Sequence, residues 1–478
     1  MLRIPDPVGE TFTPVAGPFE LSMATKPETM SKEKVVFRMV HPKAAGIDIG
    51  SRSHWVSVGE GKENVREFGV YTPDLMEMAG WLKSHEVETI AMESTGFYWK
   101  SAFLLLQSQG FKVYLVNAKH VKNVRGKKSD VSDCQWLWQL HSAGLLTNSF
   151  QPDVSTEELR TYARHRETLV ESANRQVAKM QKAMTVMNIH LSVVLSDITG
   201  KSGQLIIKAI LEGERDAYKL ANMADGRVKA ERSELVKALR GHFQRQHLFE
   251  LQQAWNAYHF FQQQIKECEL QMEAFLEQEV VRLNVPMIEE PMPQPPQKKK
   301  MNSKSVKIDM AQYGYRLSGG LDLLDIEGLG PNTLLSLISE VGLSLDAFPT
   351  AKHFSSWLGL SPNKKTSGGK VLSNKTRKHK NRLAQAFRHA ANTIGNQKSG
   401  ALNAFFRRVC ARSGRRSAIT ATARKLATII YSILTKKVPY NPPSNEAYQQ
   451  KLREYKIKQM KKTMQQMDIS LNDLVPAA

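Results

Sequence analysis

Cysteine is scarce: the 478 residues contain three, Cys134, Cys268 and Cys410, far apart in the chain. An odd, scattered set builds neither a disulfide framework nor a zinc cluster, and it fits a reducing compartment. No run of about 18 apolar residues occurs, so no membrane span and no membrane partner is expected. The N-terminal stretch lacks the apolar core of a signal peptide. Residues 1–42 read as a flexible extension, with Met23 and Met30 as alternative starts. No internal repeat is visible. The most informative absence is of acid. From Ala351 to Tyr440 there are 20 Lys or Arg and not one Asp or Glu.

The whole chain carries a formal charge of +21, so that single segment holds nearly all of the excess. A folded segment of one sign repels itself until something neutralises it. Phosphate backbone is the natural neutraliser, because each contact also releases condensed counterions. An ordinary soluble surface would mix both signs. A membrane-surface segment would carry a lipid-anchor pattern that this one lacks.

Residues 43–150 alternate short apolar runs with helix-like stretches. "AAGIDI", "HWVSVG" and "NVREFGV" read as three consecutive strands, followed by helix, strand, helix, strand, helix. That order predicts an α/β sheet with helices on its faces. Residues 151–285 change period. Leu159, Tyr162, Leu169, Ala173, Val177, Met180 and Met184 recur at helical steps, broken by a polar interruption at Arg166. Leu251, Trp255, Tyr258, Phe261, Ile265, Cys268, Met272 and Phe275 form a second such series. Both predict long helices with coiled-coil seams, paired with each other or with another subunit. Residues 286–317 are rich in Pro and Lys and read as a linker. Residues 318–440 predict a mostly helical basic domain, and 441–478 a polar tail.

Candidate chemistry starts at Asp48 in "GIDIG". An Asp that ends a strand before Gly serves either a metal-dependent nuclease or an ATPase. The ATPase needs a second glycine-rich phosphate turn, which the chain lacks, and there is no P-loop. The nuclease needs further carboxylates. Glu93 ends the fourth predicted strand in "TIAMESTG". Asp130 and Asp133, in "KKSDVSDC", are three residues apart at a predicted helix start and share a face. Four acids are thus expected to meet at one sheet edge, as a two-metal site for phosphodiester cleavage requires. The Asp130 and Asp133 pair also suits plain helix capping. The basic run "KHVKNVRGKK", with Lys127 and Lys128, lies beside them.

In the acid-free segment, "KKTSGGK" sets Ser367 before Gly368 and Gly369 and among Lys364, Lys365 and Lys370. Paired glycines let backbone N–H groups approach an oxyanion, and the lysines attract a phosphate. The same residues equally suit an ordinary turn, and Ser373 is a rival nucleophile. Lys375, Arg377, Lys378 and Arg382 extend the basic run. "DIEGLGPN" has the apolar-x-Gly-apolar-Gly form that presents a helix N-terminus to a phosphate, through Gly328 and Gly330. A packed joint between helices would use the same residues. His379 and His389 suit phosphate contact or packing, and Trp136 and Trp138 suit core packing.

Together these motifs resemble the DEDD-type insertion-sequence transposases of the insertion sequence 110 family. "GIDIG", "AMESTG" and "KSDVSDC" carry the resemblance in the first half. "LLDIEGLGPNTLLSLISEVG", "FSSWLGLSPNKKTSGGKVLS" and "NRLAQAFRHAAN" carry it in the second. The Lys-x-Gly-Asn form of many members is missing after the serine, and the chain is longer than typical members. The resemblance implies an RNase H-like (RuvC-like) N-terminal domain, a helical coiled-coil middle and a mostly α transposase domain. It implies that Asp48, Glu93, Asp130 and Asp133 bind Mg²⁺ and that Ser367 is the nucleophile. It further implies DNA partners at the element ends and target, a structured bridge RNA as guide, and a dimer or tetramer. A cytoplasmic, nucleoid-associated enzyme of bacteria or archaea follows. For both halves to act on one phosphodiester, the acids and the serine have to meet, within one chain or across subunits. The alternatives are a metal-dependent Holliday-junction-type endonuclease that hydrolyses with water, and a nucleic-acid-binding protein without activity.

Overall fold

The computed structural model describes residues 39–94, 96–117, 130–284, 305–376, 381–442 and 445–466. The chain divides into two compact units, residues 1–149 and 150–478.

The first unit is a five-stranded mixed sheet. Its strands are β1 (Ala44–Ile49), β2 (Ser53–Ser57), β3 (Val65–Gly69), β4 (Thr89–Glu93) and β5 (Lys112–Val116), in spatial order β3-β2-β1-β4-β5. β2 runs antiparallel to β1 and β3, whereas β4 is parallel to β1 and β5 to β4. This order is consistent with the anticipated RNase H-like arrangement. Among the described residues three helices accompany the sheet: α1 (Thr72–Ser84), α2 (Trp99–Ser108) and α3 (Asp130–Ser142). α1 starts where Pro73 fits the first turn and Asp74 accepts the Tyr71 N–H at 3.1 Å. It buries Leu75, Met78, Ala79 and Leu82, one stripe at helical spacing. α3 lies directly on β1. A Cβ on Gly46 would come within 2.3 Å of the Trp138 backbone nitrogen and 2.4 Å of the Cys134 carbonyl oxygen. Only glycine allows the helix backbone that close. Near the end of α3, His141 is buried, hydrogen-bonded to Thr89 Oγ1 at 3.0 Å and stacked on His41.

The second unit is helical apart from one hairpin. α4 (Val154–Val186) begins at Asp153, whose carboxylate accepts the Thr156 N–H at 2.7 Å. Four short helices follow, α5 (Leu191–Val194), α6 (Lys201–Leu211), α7 (Ala217–Asn222) and α8 (Arg232–Leu239), and then α9 (Arg245–Arg282). α4 and α9 pack side by side within the chain. Cys268 bonds the Tyr162 carbonyl, while Ser155 reaches Glu279, so the two run antiparallel. The residues of both predicted seams face one shared core. The pairing is therefore accounted for within this chain. The polar interruption at Arg166 is the centre of a buried ion pair, Arg166 Nε to Glu269 Oε1 at 2.7 Å.

The stretch anticipated as a linker is folded from Ser305 onward. Val306, Ile308 and Met310 are buried, and α10 (Met310–Leu317) packs against α9, because this end of the stretch has regained apolar residues at core spacing. Then come α11 (Pro331–Glu340), α12 (Ala351–Trp357), the hairpin β6 (Lys365–Ser367) and β7 (Lys370–Ser373), α13 (Arg382–Asn396), α14 (Ala401–Lys436) and α15 (Asn445–Gln466). Middle and basic regions share one core, so they form one unit where the composition suggested two. A second buried network ties them. Glu340 at the end of α11 accepts two bonds from Arg164, at 2.9 and 2.8 Å, and its carbonyl accepts from Arg160 at 2.6 Å. α14 is kinked at Gly414, which has φ of +77° with nothing within 4 Å of a would-be Cβ.

Candidate active site and nucleic-acid interface

Register places the acids. In parallel pairing Gly46 stands beside Ala91 and Ile47 beside Met92, and Asp48 and Glu93 are the next residues of the two strands. Side chains alternate along a strand, so Asp48 shares the face of Gly46, and Glu93 that of Ala91. That face is the one α3 covers. Gly46 and Ala91 are the small residues beneath the helix, and both are buried. Asp48 and Glu93 are half-buried at the carboxyl ends of these strands. α3 contributes Asp133, also half-buried, next to Cys134. The Cys134 thiol is pushed up to about 12, by burial first and also by the negative charges of Asp48 and Asp133. Asp133 is the neighbour of Cys134 on α3, and Asp48 lies two residues beyond Gly46, where the strand meets the Cys134 backbone.

Asp130 is the first residue of α3, and its side chain lies outside the described residues, as do Lys127 and Lys128. Among the described residues no three His, Cys, Asp or Glu side chains are close enough to share a metal ion. The donor chemistry nevertheless fits a hard divalent cation: half-buried carboxylates at the open end of a sheet. Trp138 is buried as core, and Trp136 half-buried.

Ser367 sits at the tip of the hairpin, opposite Lys370. Gly368 and Gly369 both have positive φ, +52° and +75°, the torsions of a tight two-residue hairpin turn. The paired glycines are thus explained by the turn, which presents Ser367 to solvent. Every residue from Lys364 to Leu372 is exposed, and so is Lys375. Arg377 and Lys378, with His379, lie outside the described residues. Arg382, the first residue of α13, pairs with Glu167 on α4. It lines a cleft of about 370 Å³ with Arg164, Arg166 and the exposed His389. Burial lowers the pKa of the Arg382 guanidinium, and Arg164 nearby adds to this.

The loop at Gly328 and Gly330 is occupied by contacts within the unit. Ile326 and Leu329 are buried, and a Cβ on Gly328 would strike Ile394 and the Ala390 carbonyl of α13. Glu327 accepts the N–H groups of Ala401 and Leu402, at 2.9 and 3.1 Å, and so caps α14. Gly330 caps α11, whose first residue, Pro331, has no N–H to offer.

Sequence reasoning passed over three features of these sites. Gly46 was legible as a small residue two positions before Asp48. Cys134 was noted only for its isolation. Val371 and Leu372, exposed beside the serine, gave no signal without knowledge of the hairpin.

Two comparisons bear on this geometry. A transposase family model, the DEDD model of IS110, matches residues 45–189. A second, described as Transposase IS116/IS110/IS902 family, matches residues 322–407. No curated protein matches the chain. The first match spans the sheet, the acids and the start of the helical unit; the second spans the glycine loop, the hairpin, α13 and the start of α14. Two models of one family, met in chain order and each covering one of the candidate sites, place the protein: it belongs to the IS110 family of transposases and is an enzyme that acts on DNA in transposition.

Proposed function

We propose that the protein cuts and rejoins DNA strands with Asp48, Glu93, Asp130 and Asp133 as Mg²⁺ ligands on an RNase H-like sheet and Ser367 as nucleophile, guided by a bridge RNA. The observation that supports the reading is the parallel register of β1 and β4, in which Asp48 and Glu93 follow the paired Ile47 and Met92 on the strands that α3 packs against. Bound Mg²⁺ supplies Lewis-acid stabilisation of charge at the phosphate. The chain's own residues do the rest. Lys364, Lys365 and Lys370 draw the phosphate to the ribbon, and the tight turn keeps Ser367 Oγ clear of competing packing. The oxygen forms a bond to phosphorus as the bond from phosphorus to the leaving sugar oxygen breaks. The serine proton is released and the leaving oxygen takes one up. A phosphoserine–DNA link keeps the energy of the broken bond, so a second strand's hydroxyl can reverse the step without ATP. The reading includes a dimer or tetramer.

The test uses the full chain purified with its bound nucleic acid, and duplexes taken from the DNA flanking its gene. With Mg²⁺, denaturing gels should reveal DNA covalently attached to protein. Ser367→Ala should abolish the adduct and cleavage together, while Asp48→Ala should abolish both with the fold intact. Cleavage that persists in Ser367→Ala would replace the recombinase with a hydrolytic endonuclease. The co-purified nucleic acid should be one discrete RNA mapping beside the gene, and a random mixture would remove the guide from the reading.

A further inference from the structure

The hairpin that carries Ser367 poses a problem of stability. A two-stranded ribbon is at best marginal in water, and it persists when something packs on it. Here every residue from Lys364 to Leu372 is exposed, with no described residue of its own unit packed over them. Its base is tied down by a bridge between Pro362 and Thr376 and by the Asn363 N–H bonding the Lys375 carbonyl at 3.1 Å. Beyond that base it projects. Its residues are basic and uncompensated: Lys364, Lys365, Lys370 and Lys375, within a segment that has no acid at all. Among them are two adjacent apolar side chains, Val371 and Leu372, 50% and 68% exposed. The register slips here. Thr366 faces Val371 while Lys365 faces Ser373, so Leu372 is an extra residue bulged out of β7. A bulge re-aims a side chain, and this one lies five residues from the proposed nucleophile.

We infer that this ribbon is a DNA-entering element in which Val371 and Leu372 act as an apolar wedge that unstacks bases beside the phosphate Ser367 attacks. The inference rests on the proposed role of Ser367 for its place in the reaction, but not for its binding test. The charge selects the occupant. Four lysines with no ion pair among the described residues fit a polyanion, and a duplex groove admits a two-stranded ribbon. Phosphate contacts then hold the strands while the apolar pair meets the largest apolar surface a duplex holds, the faces of its bases. Exchanging strands requires local unstacking, and a wedge fixed to the nucleophile's own strand pair would supply it where it is used. Val371 and Leu372 would act as positioning residues.

The probe is a short mixed-sequence duplex carrying 2-aminopurine, whose fluorescence rises on unstacking. Full-length protein with its bound nucleic acid should raise the signal. The Val371→Ala/Leu372→Ala variant should lose most of that rise, with adduct formation about tenfold slower, the scale of losing one buried aliphatic contact. Ser367→Ala should keep the full rise while forming no adduct. Leu372→Met, which preserves the apolar volume, should restore the signal relative to Leu372→Ala. If the double alanine variant unstacks as well as the wild type, the wedge is overturned, whatever Ser367 does. If Ser367→Ala still cleaves, the serine reading falls while the fluorescence result stands. Loss of signal accompanied by dissociation of the protein, seen by light scattering, would overturn the inference by making the pair a protein contact. A rise on a single-stranded RNA probe, with none on duplex, would also overturn it.

Discussion

Asp48 and Ser367 both sit on short strands, but of opposite kinds. Asp48 lies on β1, hydrogen-bonded on both sides and covered by a helix whose backbone touches Gly46. Ser367 lies on a two-stranded ribbon with both faces in water. The first arrangement fixes a side chain through many contacts that already exist. The second leaves a side chain to be fixed by what binds. The contrast matches the needs of the proposed chemistry. Metal ligands must be pre-positioned, because their charges repel when brought together late. A nucleophile that must reach DNA gains from a mount that adjusts to it. A rigid sheet edge and a compliant ribbon divide the work.

The sharpest way to break the comparison is to remove the fixed group. Asp48→Ala should lower strand cleavage by about a thousandfold without altering the circular dichroism spectrum. Comparable cleavage in the variant would take Asp48 out of the site. The next effect tests whether the helical unit is as rigid as the sheet. Arg166 and Glu269 are both buried, so Arg166→Ala leaves a carboxylate uncompensated and should cost about 3–5 kcal/mol in denaturant unfolding. Replacing both by Met and Leu should restore much of it. A loss below about 1 kcal/mol for Arg166→Ala would mean that the pair is solvated.

The sheet unit also has a pH signature. His141 has its pKa lowered from 6.5 to about 4, by burial and secondarily by His41. The unfolded chain therefore binds the proton more readily. This stabilisation of the folded state is complete above pH 6.5 and lost as pH falls toward 4, on the order of 3 kcal/mol in all. Thermal melts of His141→Asn across that window should be flatter than those of the wild type; parallel curves would show that His141 is not responsible. A smaller effect probes the helix–strand contact. Gly46→Ala should destabilise by about 1–3 kcal/mol and raise the Mg²⁺ concentration needed for half-maximal cleavage. Unchanged Mg²⁺ dependence with lowered stability would confine Gly46 to packing. The ribbon gives the smallest effect. Lys364→Ala should reduce the slope of log binding constant against log salt by about 0.9, as one lost phosphate contact does. An unchanged slope would place Lys364 off the DNA.

Much of this was legible in the sequence, for identifiable reasons. The succession of strands and helices in residues 43–150 could be read because short apolar runs and turn residues alternate, with Asp48 and Glu93 at the ends of two such runs. The long helices could be read from Leu159 to Met184 and from Leu251 to Phe275, because their period is set by a buried stripe. What could not be read depends on contacts between distant segments. Arg166 looked like a break in a seam, since its partner Glu269 is 103 residues away. The boundary near residue 317 was misplaced because Val306 and Ile308 are too few to show a period before they meet α9 and α11. Ser367, Gly368 and Gly369 were read either as a phosphate-approaching backbone or as an ordinary turn, and they form a turn. The hairpin beneath them was invisible because β6 and β7 are too short to show alternation.

The kink at Gly414 sets a limit on the shape of whatever α14 touches. The bend coincides with one left-handed backbone torsion, at a residue where no neighbouring atom would meet a Cβ. Arg407, Arg408 and Arg412 lie before it; Arg415, Arg416, Arg424 and Lys425 follow. Positive charge on the two arms of the bent helix therefore does not follow a single axis, and Arg415, just past the bend, is already held by Asn392 and Asn396 of α13.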